Sequence, residues 1–283
     1  MILSSLLKSE YPDEKFEIQP LSGGDINEVF SAKSDRNYFC VKLNSASRFP
    51  EMFEREREGL KNLENSNTIR VPKTLKSGIF EDKQFLIMEF VEKGLRTNKM
   101  WQNFGEKLAA LHQCSNSYFG GEKQNYIGSL QQNNEQLTSW AEFLIDQRLE
   151  PMLKMARDSG TIEATELARF STFYKYIDEF WPKESPALVH GDLWSGNYLP
   201  ATNDEACLID PASYFGHREM DIGMMHLFGG FDNELFNVYN EFYPLEKNWQ
   251  DRIPYNQLYP LLVHLNLFGR SYWSSIYRII AAF

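Results

Sequence analysis

Up to Val91, apolar and polar positions alternate in short runs bounded by turn-forming residues. Phe16 to Leu21, Glu28 to Ala32 and Tyr38 to Leu43 read as strands, with turns at Ser22-Gly23-Gly24-Asp25 and Ser34-Asp35-Arg36-Asn37. Turns this short make neighbouring strands antiparallel. Arg48 to Leu63 places Phe53, Leu60 and Leu63 on one face of an otherwise charged segment, which predicts a helix. Pro72 then closes a turn, and Leu75 to Phe80 and Gln84 to Val91 predict two further strands.

Beyond Gly94 the apolar period lengthens to that of helices, over Met100 to His112, Leu137 to Arg157, Thr161 to Trp181, and from Tyr255 towards Phe283. Leu188 to Tyr214 breaks this pattern with short β-prone runs and turns holding His190, Asp192, Asn197 and Asp210. Polar residues at the mouths of short strands often form a site. The pattern predicts an α+β molecule in two lobes: a small antiparallel sheet with one helix over 1–92, and a larger, mainly helical lobe over 93–283.

Composition narrows the function classes. In 283 residues, 42% are apolar and 14% aromatic, ample for a core. The formal charge of −10 disfavours a nucleic-acid or anionic-membrane surface. A bound polyanion must therefore meet a local positive pocket, as nucleotide phosphates do among loop amides, one lysine and magnesium. Cys40, Cys114 and Cys207 are widely spaced and odd in number, so they read as reduced thiols. Met1 to Phe16 carries Lys8, Glu10, Asp13 and Glu14 in place of a leader's apolar core. No run approaches the ~18 apolar residues of a membrane span. The expected compartment is the cytoplasm.

The chemistry concentrates in His190-Gly191-Asp192-Leu193-Trp194-Ser195-Gly196-Asn197 and Leu208-Ile209-Asp210-Pro211. In a phosphotransfer loop one Asp takes the hydroxyl proton and an Asn five residues on reaches magnesium, the offset of Asp192 and Asn197. Asp210, at the end of an apolar strand, is placed as the second magnesium ligand, since hard oxygen donors suit that ion. Asp, Gly and Asn also make plain turns; the joint pattern with the N-terminal elements favours chemistry. There, Gly23 and Gly24 sit in a hairpin able to lay amides over ATP phosphates, and Lys42 ends the third strand, from which it can reach them. Its usual partner is a Glu on the next helix; Glu51, Glu54, Glu56 and Glu58 all qualify, with Glu54 and Glu58 on one face and Glu56 roughly opposite. Met88, Glu89, Phe90 and Val91 end the last strand, where a hinge would offer backbone groups to adenine.

Taken together, these residues resemble the fructosamine (ketosamine) kinase family, relatives of the aminoglycoside phosphotransferases with a protein-kinase-like fold. Trp194-Ser195-Gly196 between the Asp and the Asn is the most distinctive part; Gly23 to Asn27, Phe53 to Leu60, Thr68 to Pro72, Leu108 to His112, Asn125 to Gly128, Gln132 with Asn134, Trp140 to Leu149, Ile209 to Asp221, Leu227 to Phe231 and Leu265 to Tyr272 extend it almost end to end. The resemblance implies ATP-dependent phosphorylation of a ketosamine sugar, typically at the 3-hydroxyl, on a small molecule or a glycated protein lysine. The adduct then breaks down and the amine is freed. It also selects Glu56 as the lysine's partner, with Glu54 next. Asp192 is then the proton acceptor, Asn197 and Asp210 hold magnesium, and the Glu89 to Val91 backbone holds adenine.

For the acceptor, Trp194 offers an aromatic face, and His217 and Arg218 are substrate candidates, although ion-paired support of the catalytic loop suits His217, Arg218, Glu219 and Asp221 better. Two positions depart from the family pattern: His217 stands where many members carry Asp, and Asp25 where some carry a redox-sensitive Cys. Cys40 and Cys207 are expected to be buried and inert, and His112 to pack or cap. An aminoglycoside or choline phosphotransferase would share Asp192, Asn197 and Asp210. A protein kinase is disfavoured, because no Asp-Phe-Gly and Ala-Pro-Glu pair frames an activation segment.

Overall fold

The computed structural model describes residues 2–21 and 26–283; Gly23 and Gly24, with the turn predicted over Ser22 to Asp25, lie outside them. The chain opens with helix α1 (Ile2–Glu10), followed by strands β1 (Glu17–Pro20), β2 (Glu28–Lys33) and β3 (Tyr38–Ser45), helix α2 (Met52–Asn65), and strands β4 (Thr74–Phe80) and β5 (Lys83–Glu89). The five strands form one antiparallel sheet in the order β1-β2-β3-β5-β4. Side-chain alternation gives this sheet two different faces. Phe39, Val41, Leu43, Phe85 and Ile87 meet Leu3, Leu6 and Leu7 of α1. Leu86 and Met88 face the other way, onto Phe53, Leu60 and Leu63 of α2.

Helix α1 is an addition to the predicted elements; Leu3, Leu6 and Leu7 carry its helical spacing and are its buried face. Helix α2 begins four residues later than the pattern predicts. Glu51 adopts a left-handed conformation (φ 58°), and the Phe49 amide turns back to Ser45 O, so residues 46–51 form a turn.

After the sheet come α3 (Asn98–His112), capped by Thr97, whose hydroxyl accepts the Met100 amide, and a small hairpin, β6 (Asn125–Ile127) and β7 (Leu130–Gln132). The predicted Leu137 to Arg157 helix is α4 (Trp140–Phe143), a π-helical segment (Leu144–Leu149) and α5 (Glu150–Asp158). The wider turn accompanies burial of Arg148, whose guanidinium lies over Tyr214 and donates to Asn134 Oδ1 at 2.7 Å. The single helix predicted over Thr161 to Trp181 is instead a 3₁₀ turn (Ala164–Leu167), α6 (Ala168–Phe173) and α7 (Ile177–Phe180). The Lys175 and Tyr176 amides bond three residues back, to Thr172 and Phe173, which ends the α-helical ladder between them.

Four short strands carry the centre of the molecule: β8 (Ala187–Val189), β9 (Tyr198–Ala201), β10 (Glu205–Leu208) and β11 (Tyr214–Gly216). Helices α8 (Glu219–Phe228), α9 (Asn233–Phe242), α10 (Trp249–Asn256), α11 (Leu258–Phe268) and α12 (Trp273–Ile280) complete the chain. The predicted terminal helix is broken at Gly269 (φ 95°), and it starts earlier, at Trp249. One core lies wholly in the helical half. Another joins α2 and β5 to α3, α8, Leu193, Tyr198 and Leu208, and so fixes the sheet against the loop that holds Asp192.

Candidate active site

Strand pairing brings two loops face to face. β8 pairs with β11, Val189 opposite Tyr214, and β9 pairs with β10, Tyr198 opposite Leu208. Loop 190–197 therefore enters from one pair and loop 209–213 returns to it, crossed by Ile209 N–H to Asn197 O and Ala212 N–H to His190 O, each 3.0 Å. The approach at Gly191 needs glycine: φ is 84°, and a Cβ there would lie 2.2 Å from Ala212 O.

Within this frame Asn197 Nδ2 donates to both Asp192 O (2.8 Å) and Asp192 Oδ2 (2.9 Å), tying the loop across its five-residue span. Burial pushes the Asp192 carboxyl up to about 7, with Asn197 opposing and the charges of Asp210 and Asp221 assisting. His190 is fully buried, its Nε2 donating to Ile209 O (2.9 Å) while Nδ1 accepts the Asp192 amide; burial holds its pKa below the usual value.

Lys42 reaches the same place from β3. Its ammonium lies 2.6 Å from Glu56 Oε1 and also contacts Asp210 Oδ1. Burial opposes its charge, but the two carboxylates outweigh that and hold its pKa above the usual lysine range. Of the four candidate glutamates, Glu56 is the one on Lys42. Glu54 bonds Arg57 and Ser77, Glu58 bonds Arg55 and Lys123, and Glu51 bonds Arg55. Asp210 has φ 56°, so the backbone turns sharply where this carboxylate is presented.

These groups share a cleft of about 430 Å³ lined by Lys42, Glu56, Asp192, Asn197 and Asp210, with Trp194 beside them. Trp194 is 39% exposed, and its indole covers Gly196, where a Cβ would sit 2.3 Å from the ring. The hinge candidates Met88, Glu89, Phe90 and Val91 do not line this cleft. Pairing of Cys40 with Met88 and Phe39 with Glu89 sets them two to three residues along β3 from Lys42. The Glu89 and Phe90 amides serve Lys73 O and Tyr38 O; among the described residues no bond from the Val91 amide is found.

His217 and Arg218 are corrected as substrate candidates. They are 1% and 2% exposed and line no part of the cleft. Arg218 makes paired bonds to Glu184 (both 2.7 Å) under the Tyr243 ring, and His217 packs on Trp140 with Nε2 at Pro182 O. Cys207 is buried, and burial raises its thiol to about 12; half-buried Cys40 is raised to about 11 by the same cause.

Two supports hold this frame; the sequence points to loop support by Asp221 without naming its partners, and gives the second no part. Asp221 of α8 accepts the His190 amide (2.7 Å) and the Gly191 amide (2.9 Å), and His112 Nε2 lies 3.2 Å from the same carboxylate. Buried amides form the second support: Gln132 and Asn134 donate to Asn125 Oδ1, Asn125 donates to Ser213 O, and Gln132 to Ala212 O. The β6–β7 hairpin is thereby anchored to the segment following Asp210. Nothing in the spacing shows that these amides meet; only the fold does.

The donor set fits magnesium. Asp210 supplies a carboxylate and Asn197 an amide oxygen for which no donor is found among the described residues. Among those residues there is no cluster of three or more His, Cys, Asp or Glu suited to a metal. An ion that takes one or two protein oxygens and completes its shell with water and phosphate matches this pattern, and zinc does not.

Comparison with known proteins agrees with this geometry. The profile of the fructosamine kinase family matches residues 3–283. An Enterococcus faecium protein assigned as a ketoamine kinase is 36% identical over 94% of this chain and 95% of its own. The chloroplastic protein-ribulosamine 3-kinase of Arabidopsis thaliana is 37% identical over 93% of this chain and 81% of its own. A solved Thermobifida fusca structure assigned to the fructosamine-3-kinases superposes with TM-score 0.89 at 31% identity, covering 99% and 97% of the two chains. Aminoglycoside phosphotransferase APH(4)-Ia, solved with AMP-PNP and hygromycin B, gives TM-score 0.67 at 17% identity over 99% and 98%, a likeness of fold alone. With a profile match along nearly its whole length, this chain belongs to the fructosamine kinase family.

Proposed function

We propose that this protein is an ATP-dependent kinase that phosphorylates a sugar hydroxyl, the 3-hydroxyl in our reading, of a ketosamine. The observation that carries this reading is the convergence of Asp192, Asn197, Asp210, Lys42 and Glu56 on one cleft, in a chain of this family.

Asp192 orients the acceptor hydroxyl and takes its proton as the oxygen bonds to the γ-phosphorus and the bond to ADP breaks. Asn197 fixes the Asp192 side chain for this task. Lys42, held by Glu56, carries phosphate oxygens, and Asn197 and Asp210 would hold magnesium, which when bound neutralises charge developing on the phosphates. The Val91 amide is the hinge donor for adenine, and Trp194 gives an apolar face to the acceptor. This division of labour makes 1–92 the nucleotide lobe and 93–283 the acceptor lobe. The product adduct is unstable, so the reaction serves deglycation. Three unpaired thiols and an ATP requirement suit the cytoplasm, and among the described residues no helix is long and apolar enough to cross a membrane.

The test is ADP release from MgATP with ribuloselysine and fructoselysine, against choline and an aminoglycoside. Turnover confined to the ketosamines is expected. Turnover only with choline or the aminoglycoside would move the protein to another acceptor class.

A further inference from the structure

The floor and the rim of the cleft differ in charge. Its three lining carboxylates, Glu56, Asp192 and Asp210, belong to the phosphotransfer groups just described. The rim is built from Arg48 and Phe49 on the turn before α2, Trp194, and His264, Leu267 and Phe268 of α11. Phe268 is 54% exposed; His264 lies tilted against it and against Phe228, which meets Trp194 edge-on. One wall of the rim is therefore aromatic.

Other lining residues carry positive charge. Arg55, which also lines the cleft, is neutralised by Glu51 and by Glu58 at 2.7 Å. Arg48 is exposed, and among the described residues no carboxylate lies within ion-pair distance of it. Its guanidinium rests only against the Phe49 ring, 5.1 Å from the centroid. The backbone beneath it is fixed on both sides. The Arg48 amide donates to Ser45 Oγ (3.3 Å) and the Phe49 amide to Ser45 O (3.1 Å), Gln84 Nε2 donates to Phe49 O, and Tyr126 OH donates to Pro50 O (2.9 Å). A guanidinium on a pinned turn, at the mouth of a pocket in a molecule of net charge −10, is a preorganised anion site.

We propose that Arg48 binds the carboxylate of the amine-bearing part of the substrate, so that the preferred acceptor is a glycated free amino acid. The sugar reaches Asp192, the aliphatic stem lies along the Trp194 and Phe268 wall, and the carboxylate meets Arg48. An internal glycated lysine of a protein offers no such carboxylate. This inference rests on the ketosamine reading above.

The experiment uses ribuloselysine and fructoselysine, each blocked at the α-amine and each made with a free carboxylate and with a carboxamide, with wild type and Arg48→Gln compared on all four. Wild type is expected to favour the carboxylate by about 10–100-fold in kcat/KM, the range of a charge-assisted pair. In Arg48→Gln the carboxylate substrate falls to the level of the carboxamide, through KM. Equal wild-type use of the two forms, or a variant that lowers both alike, overturns the proposal while leaving the ketosamine reading intact. A rise in the KM for MgATP in the variant also overturns it, because Arg48 would then serve the nucleotide. Absence of turnover on either ketosamine defeats the ketosamine reading itself and the proposal with it.

Discussion

Gly191 carries two constraints at once, a left-handed backbone and a carbonyl where its Cβ would be. Gly191→Ala should lower stability by about 2 kcal/mol or more, since the left-handed strain and the steric contact add. A melting temperature equal to wild type would show that the 212–213 segment yields easily. At Asp192 the expected effect is chemical. Asp192→Asn keeps the shape and the Asn197 contact but cannot take a proton, so turnover should fall by roughly 10²–10⁴-fold. MgATP affinity, read by titration calorimetry, should stay near wild type. Asp210→Ala reverses that split. It removes a cation ligand and should weaken MgATP binding by at least the ~10–100-fold that outer-shell partners cost; unchanged affinity would count against its role.

Among the elements, α8 hydrogen-bonds the catalytic loop through one side chain. Asp221 is fully buried, and despite the burial that opposes its charge, His112 and the backbone amides keep its pKa below the usual carboxylate range. Each charge-assisted bond to a loop amide contributes about 1.5–3 kcal/mol. Asp221→Asn should therefore lower the melting temperature and kcat together while leaving the KM for MgATP nearly unchanged. If kcat holds while the melting temperature drops, Asp221 serves stability alone. At this scale the strands and α2 were legible because their apolar period is clean. Helix α8 was not, because Met220, Ile222, Gly223, Met224 and Met225 are all buried and leave no polar stripe to mark a helix. The π segment was hidden for a related reason: an arginine fully buried under three aromatic rings contradicts the pattern that places charge outside.

At the scale of the whole molecule, pH acts on buried groups with opposite signs. His217 is fully buried, and that burial depresses its pKa; the stability it contributes is complete above the unfolded value near ~6.5 and is lost as pH falls below it. Once the unfolded chain is protonated there and the folded one is not, the loss approaches about 1.4 kcal/mol per pH unit. Asp192 works in the other direction, because burial raises it to about 7 and the folded state keeps a proton that the unfolded chain releases. The net slope for wild type is thus a difference, and a variant is needed to isolate one part. The gap in melting temperature between wild type and His217→Gln should shrink as pH drops from 7.5 to 5.5. A gap independent of pH would mean that His217 titrates alike in the folded and unfolded chains, and a gap that widens would mean that it is protonated in the folded protein.

Legible in the amino-acid sequence alone were an antiparallel sheet ahead of mainly helical elements, the order of the sheet's strands and of the helix among them, and the identities of polar residues that line the cleft. Those features are local: turn residues, apolar period, and the offset of Asp192 from Asn197 within one loop. Tertiary structure decided everything that depends on chains meeting. It put Lys42 on Glu56 and Asp210 and buried Arg218 against Glu184 away from the cleft. It also joined Asn125, Gln132 and Asn134 to the segment after Asp210, and set Arg48 in one cleft with Trp194 and Phe268, which lie far along the chain. The physical reason is that burial and partnership, which assign a charged side chain to chemistry, support or solvent, arise from packing between elements and leave no periodic trace along the chain.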